Sequence, residues 1–143
     1  MRFGARGPML VVYVSCLYGF FTGSSRAELV RARLALDTDH AAPHIVDVEV
    51  FGVIRRNHHL GHLDATAAAQ AVEDLADWPG ERFSHHPLLD RAWELQATVR
   101  GWDAMYVALA EALDAPVLTT DTRLARAPGP TCEIEVIPDP GDT

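Results

Sequence analysis

The chain has 143 residues, 48% of them hydrophobic, and its 12 cationic against 20 acidic side chains give a formal charge of −8. That length supports one domain with a substantial core and excludes two comfortable ones, while the acidic total opposes an extended nucleic-acid surface, whose phosphates require a basic face. All 12 cations are arginine, so a local fork for phosphate or carboxylate survives the net charge, although a genome rich in G and C gives the same bias.

In chain order, residues 1–8 carry Arg2, Arg6, two glycines and Pro8 and read as a loose leader; the domain spans 9–137, and 138–143 is a tail. The apolar run from Leu10 to Phe21 follows two arginines as in a secretory signal, but it is too short to span a bilayer and is interrupted by Tyr13, Ser15 and Gly19. Met9 to Val12 is instead a first buried strand, so no membrane partner is expected. Cys16 and Cys132 have no metal-ligand spacing and read as reduced thiols of a cytoplasmic protein.

Helices are expected from Ser15 to Phe21 and from Arg26 to Leu36, followed by a polar loop over Asp37–His40. Pro43 suits the first turn of a helix running from His44 to about His59. Within it, Glu49 has Ile45 and Val46 one turn before and Gly52 and Val53 one turn after, with no cation at helical spacing. Its carboxylate is either partly exposed over a packed stem or buried and in need of positive charge. Asp47 is an ordinary first-turn acid. His58 and His62 are four apart, but Gly61 marks a helix end, where histidines are favoured by the dipole without any metal.

Asp64 caps the next helix, Trp78-Pro-Gly marks a turn, Arg82-Phe-Ser is a short strand, and Pro87 opens a helix through about Val99 whose apolar side chains belong to the core. Asp103 then begins a helix closed by Asp114-Ala-Pro. Val117-Leu-Thr-Thr is a buried strand, with Asp121 just past its carboxyl end, where open parallel sheets line their ligand crevices. Ala125 to Pro130 is a loop and Ile134 to Ile137 a last strand. Alternating strands and helices give an α/β domain with a mostly parallel sheet. Glu49, Asp103 and Asp121, brought together, would repel unless protonated or shared with a cation, and their hard oxygens suit Mg²⁺ or Mn²⁺. Taken singly, Asp103 and Asp121 read as cap and turn residues.

Two stretches carry a resemblance. Arg-Gly-Trp-Asp103-Ala-Met-Tyr-Val-Ala-Leu-Ala, followed by Asp114-Ala-Pro-Val-Leu-Thr-Thr-Asp121-Thr-Arg-Leu, resembles the C-terminal half of PIN-domain ribonucleases of the VapC toxin type. Ala42 to Arg56 resembles the segment with the family's helical glutamate, here Glu49, and Leu10-Val-Val-Tyr-Val-Ser resembles its first strand. The resemblance implies a three-layer α/β/α fold, Mg²⁺- or Mn²⁺-dependent cleavage of RNA, a VapB-type antitoxin as partner, and a homodimer. It makes Glu49, Asp103 and Asp121 the catalytic metal ligands, with Ser15 and Thr120 as supporting polar residues; Arg100 and Arg123 are candidates for RNA contact. The family's first aspartate is replaced here by Tyr13, whose hydroxyl is neutral at pH 7 and larger than a carboxylate. Metal affinity and catalysis are therefore expected to fall, and the alternative expectation is a catalytically impaired PIN-like protein that retains antitoxin binding.

Overall fold

The computed structural model of the chain describes residues 9–36 and 39–140; the expected leader and the last three residues of the tail lie outside them. Five strands form one parallel sheet in the order β3-β2-β1-β4-β5. They are β1 (Met9–Val12), β2 (Asp39–Pro43), β3 (Glu81–Phe83), β4 (Val117–Thr119) and β5 (Ile134–Val136). Between them run α1 (Val14–Thr22), α2 (Ala27–Leu34), α3 (Ile45–His59), α4 (Ala65–Asp77), α5 (Leu89–Glu94), α6 (Asp103–Leu113) and α7 (Thr122–Arg126).

The central strand is β1, whose Val11 stands opposite Ala41 of β2 on one side and Val117 of β4 on the other. All four of its residues are buried, as an apolar run flanked by two parallel neighbours should be. Successive strands proceed outward from β1 to β3 and then return to the opposite side of β1. The strand order therefore reverses between β1 and β4, and the crevice that such a reversal opens lies past their carboxyl ends. Tyr13 follows β1 there, and Thr120 and Asp121 follow β4. Helix α6 packs over β1, β2 and β4, while α1 packs against α2, α3 and α4.

Two expected loops are partly regular structure. Asp39 and His40 belong to β2 and Pro43 ends that strand, so it does not stand in a helical first turn. The segment has no β-branched residue to announce a strand, and its pairing with β1 and β3 supplies what propensity does not. Residues 125 and 126 lie in α7, a five-residue helix whose N-cap is Asp121. The expected helix through Val99 ends as α5 at Glu94, after a 3₁₀ turn at His86–Leu88. Asp114 closes α6 in the left-handed conformation at φ 53°, with its N–H bonded to the Ala110 and Glu111 carbonyls.

Arg82 locks one corner of this frame. Its guanidinium donates to the carbonyls of Leu75, Trp78 and Gly80 at 2.8, 2.6 and 2.8 Å and to the Asp47 carboxylate at 2.9 Å. It also lies over the Trp78 ring at 4.8 Å. The end of α4, strand β3 and the first turn of α3 are thereby tied to one side chain.

The amino end of α3 is held by a histidine. Ile45 donates its N–H to Nε2 of His85 at 2.9 Å, so that nitrogen must be unprotonated. Burial, and then the neighbouring His44, lower the His85 pKa from its ordinary 6.5. Between the lowered folded value and 6.5 the unfolded chain binds more protons, so this contribution to stability falls as pH drops through that window. Thermal unfolding from pH 7.5 to 5.5 is expected to show a smaller loss of Tm for His85→Gln, whose carbonyl accepts without titrating. Equal losses in parent and variant would remove His85 from the pH response.

Candidate acid centre

Glu49 sits one turn after Ile45 on α3, with neighbouring Val46 and Val50 fully buried, and its Oε1 accepts the Tyr106 hydroxyl at 2.8 Å. Burial raises its pKa, the Tyr106 bond opposes that rise, and the charge of Asp103 adds to it. Of the two readings of Glu49, exposed head or buried carboxylate in need of positive charge, neither foresaw the partner the fold supplies, an uncharged hydroxyl donor.

Asp103 is the first residue of α6 and is 6% exposed. Its Oδ1 accepts the Tyr13 hydroxyl at 2.5 Å, and its Oδ2 lies 3.7 Å from Arg100. Asp121 caps α7 by accepting the Arg123 N–H at 2.8 Å, and the Arg123 guanidinium reaches the same oxygen at 3.4 Å. The cap reading of Asp103 is corrected, because Trp102 occupies the N-cap of α6 and the Asp103 side chain makes no cap bond, whereas Asp121, read as a turn residue, is itself the cap of α7.

Tyr13 bonds one of the three acids directly and lies within the electrostatic reach of the other two. Its hydroxyl is pushed far above the ordinary phenol range by burial, by the hydrogen bond to Asp103, and then by the charges of Asp103, Glu49 and Asp121. Its ring meets Tyr106 edge to face at 4.8 Å, so the two tyrosines form a packed pair with each hydroxyl on a carboxylate. Tyr106 was not singled out by sequence, although its place three residues after Asp103 on one helix face was the available signal.

Ser15 and Thr120 bond to each other, hydroxyl to hydroxyl at 2.8 Å, which fastens the turn after β1 to the end of β4. The buried Thr119 hydroxyl accepts the Asp121 N–H at 3.0 Å and is a further positioning contact unforeseen in the sequence. Arg100 and Arg123 are exposed and line a cavity of about 130 Å³ that also contains Asp103 and Asp121. The histidines at the end of α3 are engaged locally, His58 with the Leu63 carbonyl and His62 with Asn57.

In kind, three carboxylates suit a hard divalent cation. In arrangement they do not: the Tyr13 hydroxyl is seated on Asp103 among the three charges, and among the described residues no three His, Cys, Asp or Glu side chains are grouped to hold a metal ion. With Tyr13 in place, an Asp103 oxygen that a cation would use is taken by an uncharged phenol donor, so Mg²⁺ or Mn²⁺ fits the centre only where that hydroxyl gives way.

A family profile described as PIN domain matches residues 12–130. The chain is 37% identical to Ribonuclease VapC1 of Mycobacterium tuberculosis over 131 residues, covering 89% of this chain and 96% of that protein. It is 42% identical to Ribonuclease VapC3 of the same organism over 104 residues, 73% of this chain and 75% of that one. Among solved structures, VapBC2 from Rickettsia felis bound to a DNA fragment from its promoter superposes with a TM-score of 0.65. That match covers 90% of this chain and 98% of the other at 13% identity, a likeness of fold alone.

Proposed function

Because the chain belongs to the PIN-domain family and, within it, to the VapC ribonucleases, we propose that it is the endoribonuclease toxin of a toxin–antitoxin pair. The observation that supports this reading is the linkage of the three acids at the crevice of the sheet: Asp103 and Asp121 line one cavity, and Glu49 is joined to Asp103 through the packed Tyr106–Tyr13 pair. Its proposed partners are an RNA substrate, a VapB-type antitoxin and a second copy of the chain, and its proposed compartment is the cytoplasm. No helix among the described residues is long and apolar enough to cross a membrane.

The exposed guanidinium groups of Arg100 and Arg123 hold a phosphodiester at the rim, beside Asp103 and Asp121. Tyr106 fixes the Glu49 carboxylate and Tyr13 fixes that of Asp103. Glu49, Asp103 and Asp121 are the proposed catalytic acids, and Mg²⁺ or Mn²⁺ is the proposed cation of such a centre once Tyr13 no longer occupies Asp103. The Tyr13–Asp103 hydrogen bond itself favours a second reading, a member that binds its antitoxin while cutting RNA poorly.

Cleavage of a structured RNA by the purified chain, with Mn²⁺, Mg²⁺ or chelator, tests both. The ribonuclease reading expects metal-dependent cleavage that falls at least about tenfold in Glu49→Gln and in Asp103→Asn, corresponding to roughly 1.4 kcal/mol or more of barrier. Cleavage that persists unchanged in both variants would remove the acids from the reaction. Absence of cleavage by the parent, with antitoxin binding intact, would select the second reading.

A further inference from the structure

We infer that the cavity beside α1 and α2 is a second nucleotide subsite, in which Arg26 holds a phosphodiester of single-stranded RNA; this rests on the ribonuclease reading above. The cavity measures about 280 Å³, and Ser15, Tyr18, Ser24, Arg26 and Thr120 are among its lining residues. Arg26 is the guanidinium in it, and its Nε is buried without a hydrogen-bond partner among the described residues. Its ion pair with Asp139 is long, at 3.8 Å.

Other arginines of the fold are committed. Arg33 grips Glu135 at 2.6 and 2.9 Å, Arg91 grips Glu111 at 2.6 and 3.2 Å, and Arg82 is held by Asp47 and three carbonyls. With Nε buried, the outer nitrogens of the partly exposed guanidinium are the ones that face a ligand, their ion pair is the long one to Asp139, and phosphate oxygens are acceptors that match such a fork. The cavity is also shaped for more than an ion. The chain folds back through Gly23, at φ 69°, and brings Ser24 into the wall so close to Gly19 that a Cβ there would lie 2.7 Å from the Ser24 hydroxyl and force it to turn. Hydroxyls of Ser15, Ser24 and Thr120 suit a ribose 2′-OH, and Tyr18, Val30 and Val53 offer an apolar wall to a base.

Position selects RNA over an acidic peptide. Thr120 lines this cavity, and the next residue, Asp121, lines the cavity of Arg100 and Arg123. A strand crossing the carboxyl end of β4 meets an arginine on either side of the acid centre.

The test is binding, not cleavage. A short 5′-fluorescein-labelled single-stranded oligoribonucleotide is titrated in chelator at several salt concentrations against parent, Arg26→Ala, Arg26→Lys and Arg100→Ala, with thermal unfolding of each. Arg26→Ala is expected to bind about five- to tenfold more weakly, and the slope of log K against log salt is expected to shrink by about 0.7, the release from one single-strand phosphate. Arg26→Lys should regain the slope and part of the affinity, because it keeps the charge without the fork. Arg26→Ala with parental affinity and slope, beside a weakened Arg100→Ala, would overturn the subsite and leave the ribonuclease reading standing. Unchanged RNA binding with lost capture of an acidic peptide would assign the cavity to a protein partner and overturn it equally. Failure of every protein to bind RNA, parent included, would overturn the ribonuclease reading together with the subsite.

Discussion

Tyr13→Asp is expected to raise metal-dependent RNA cleavage by about a hundredfold over the parent chain, corresponding to roughly 2.7 kcal/mol of barrier. The parent centre holds two carboxylate–phenol hydrogen bonds, Tyr13 to Asp103 and Tyr106 to Glu49, and a phenol pair in edge contact. Aspartate at 13 removes both the hydroxyl and the ring from among the three charges and adds a fourth carboxylate. Four acids in one crevice repel until a cation is shared, so the variant should also unfold at lower temperature in chelator and recover with Mn²⁺, which stabilises whatever state binds it. Tyr13→Phe separates bulk from hydrogen bonding: it keeps the ring, leaves Asp103 without its donor, and should neither cut nor gain stability from Mn²⁺. Initial cleavage rates and Tm with and without Mn²⁺ check all three proteins. If the parent cuts as fast as Tyr13→Asp, and gains as much from Mn²⁺, the hydroxyl on Asp103 is no obstacle.

Arg82→Ala is expected to cost about 3 kcal/mol of stability, among the larger effects of a single substitution, and in a domain of this size to lower Tm by roughly 10 °C. The reason is the number of acceptors on one guanidinium: three carbonyls from the end of α4 and the entry to β3, plus Asp47 of α3. Hydrogen bonds from a charged donor are stronger than neutral ones, and truncation leaves their acceptors to find water. The ion pair itself is the small part, because the Asp47 side chain is 46% exposed; Asp47→Asn should cost less than about 1 kcal/mol. Urea unfolding of both variants decides the matter. Equal losses would place the stabilisation in the ion pair and not in the carbonyl clamp.

The sequence announced the acids better than it announced their company. Glu49 was legible because a carboxylate with valines and isoleucine one turn away needs an explanation, and Asp121 because a charged residue immediately after a buried run lands at a sheet's ligand edge. The first strand and α6 were equally plain, since an apolar run and a closing Asp-Ala-Pro leave few alternatives. Strand β2 was not, because Asp-His-Ala-Ala-Pro has no strand preference of its own and acquires its shape from two neighbours distant in sequence. Tyr13 was visible as a departure from the family pattern, yet not as a donor to Asp103, a contact between residues 90 positions apart. Tyr106 and Thr119 were hidden for the same reason: their roles are made by tertiary approach, which leaves no local period or spacing to detect. Arg26 is a cation in a short basic helix until the fold buries its Nε beside the crevice.

The placement of β1 at the middle of the sheet orders events during synthesis. Its partner on one side, β2, emerges soon after it, but Val11 must wait for Val117 of β4, which leaves the ribosome roughly a hundred residues later. Until then one edge of the most apolar strand is open, and Tyr13 has no Asp103. Tyr13 and Glu49 are made early, but Asp103, Tyr106 and Asp121 lie on or beside α6 and β4, so the acid centre assembles only after most of the chain has been synthesised. The interval in which it becomes competent coincides with the closing of its sheet, when a waiting partner could first meet a finished surface.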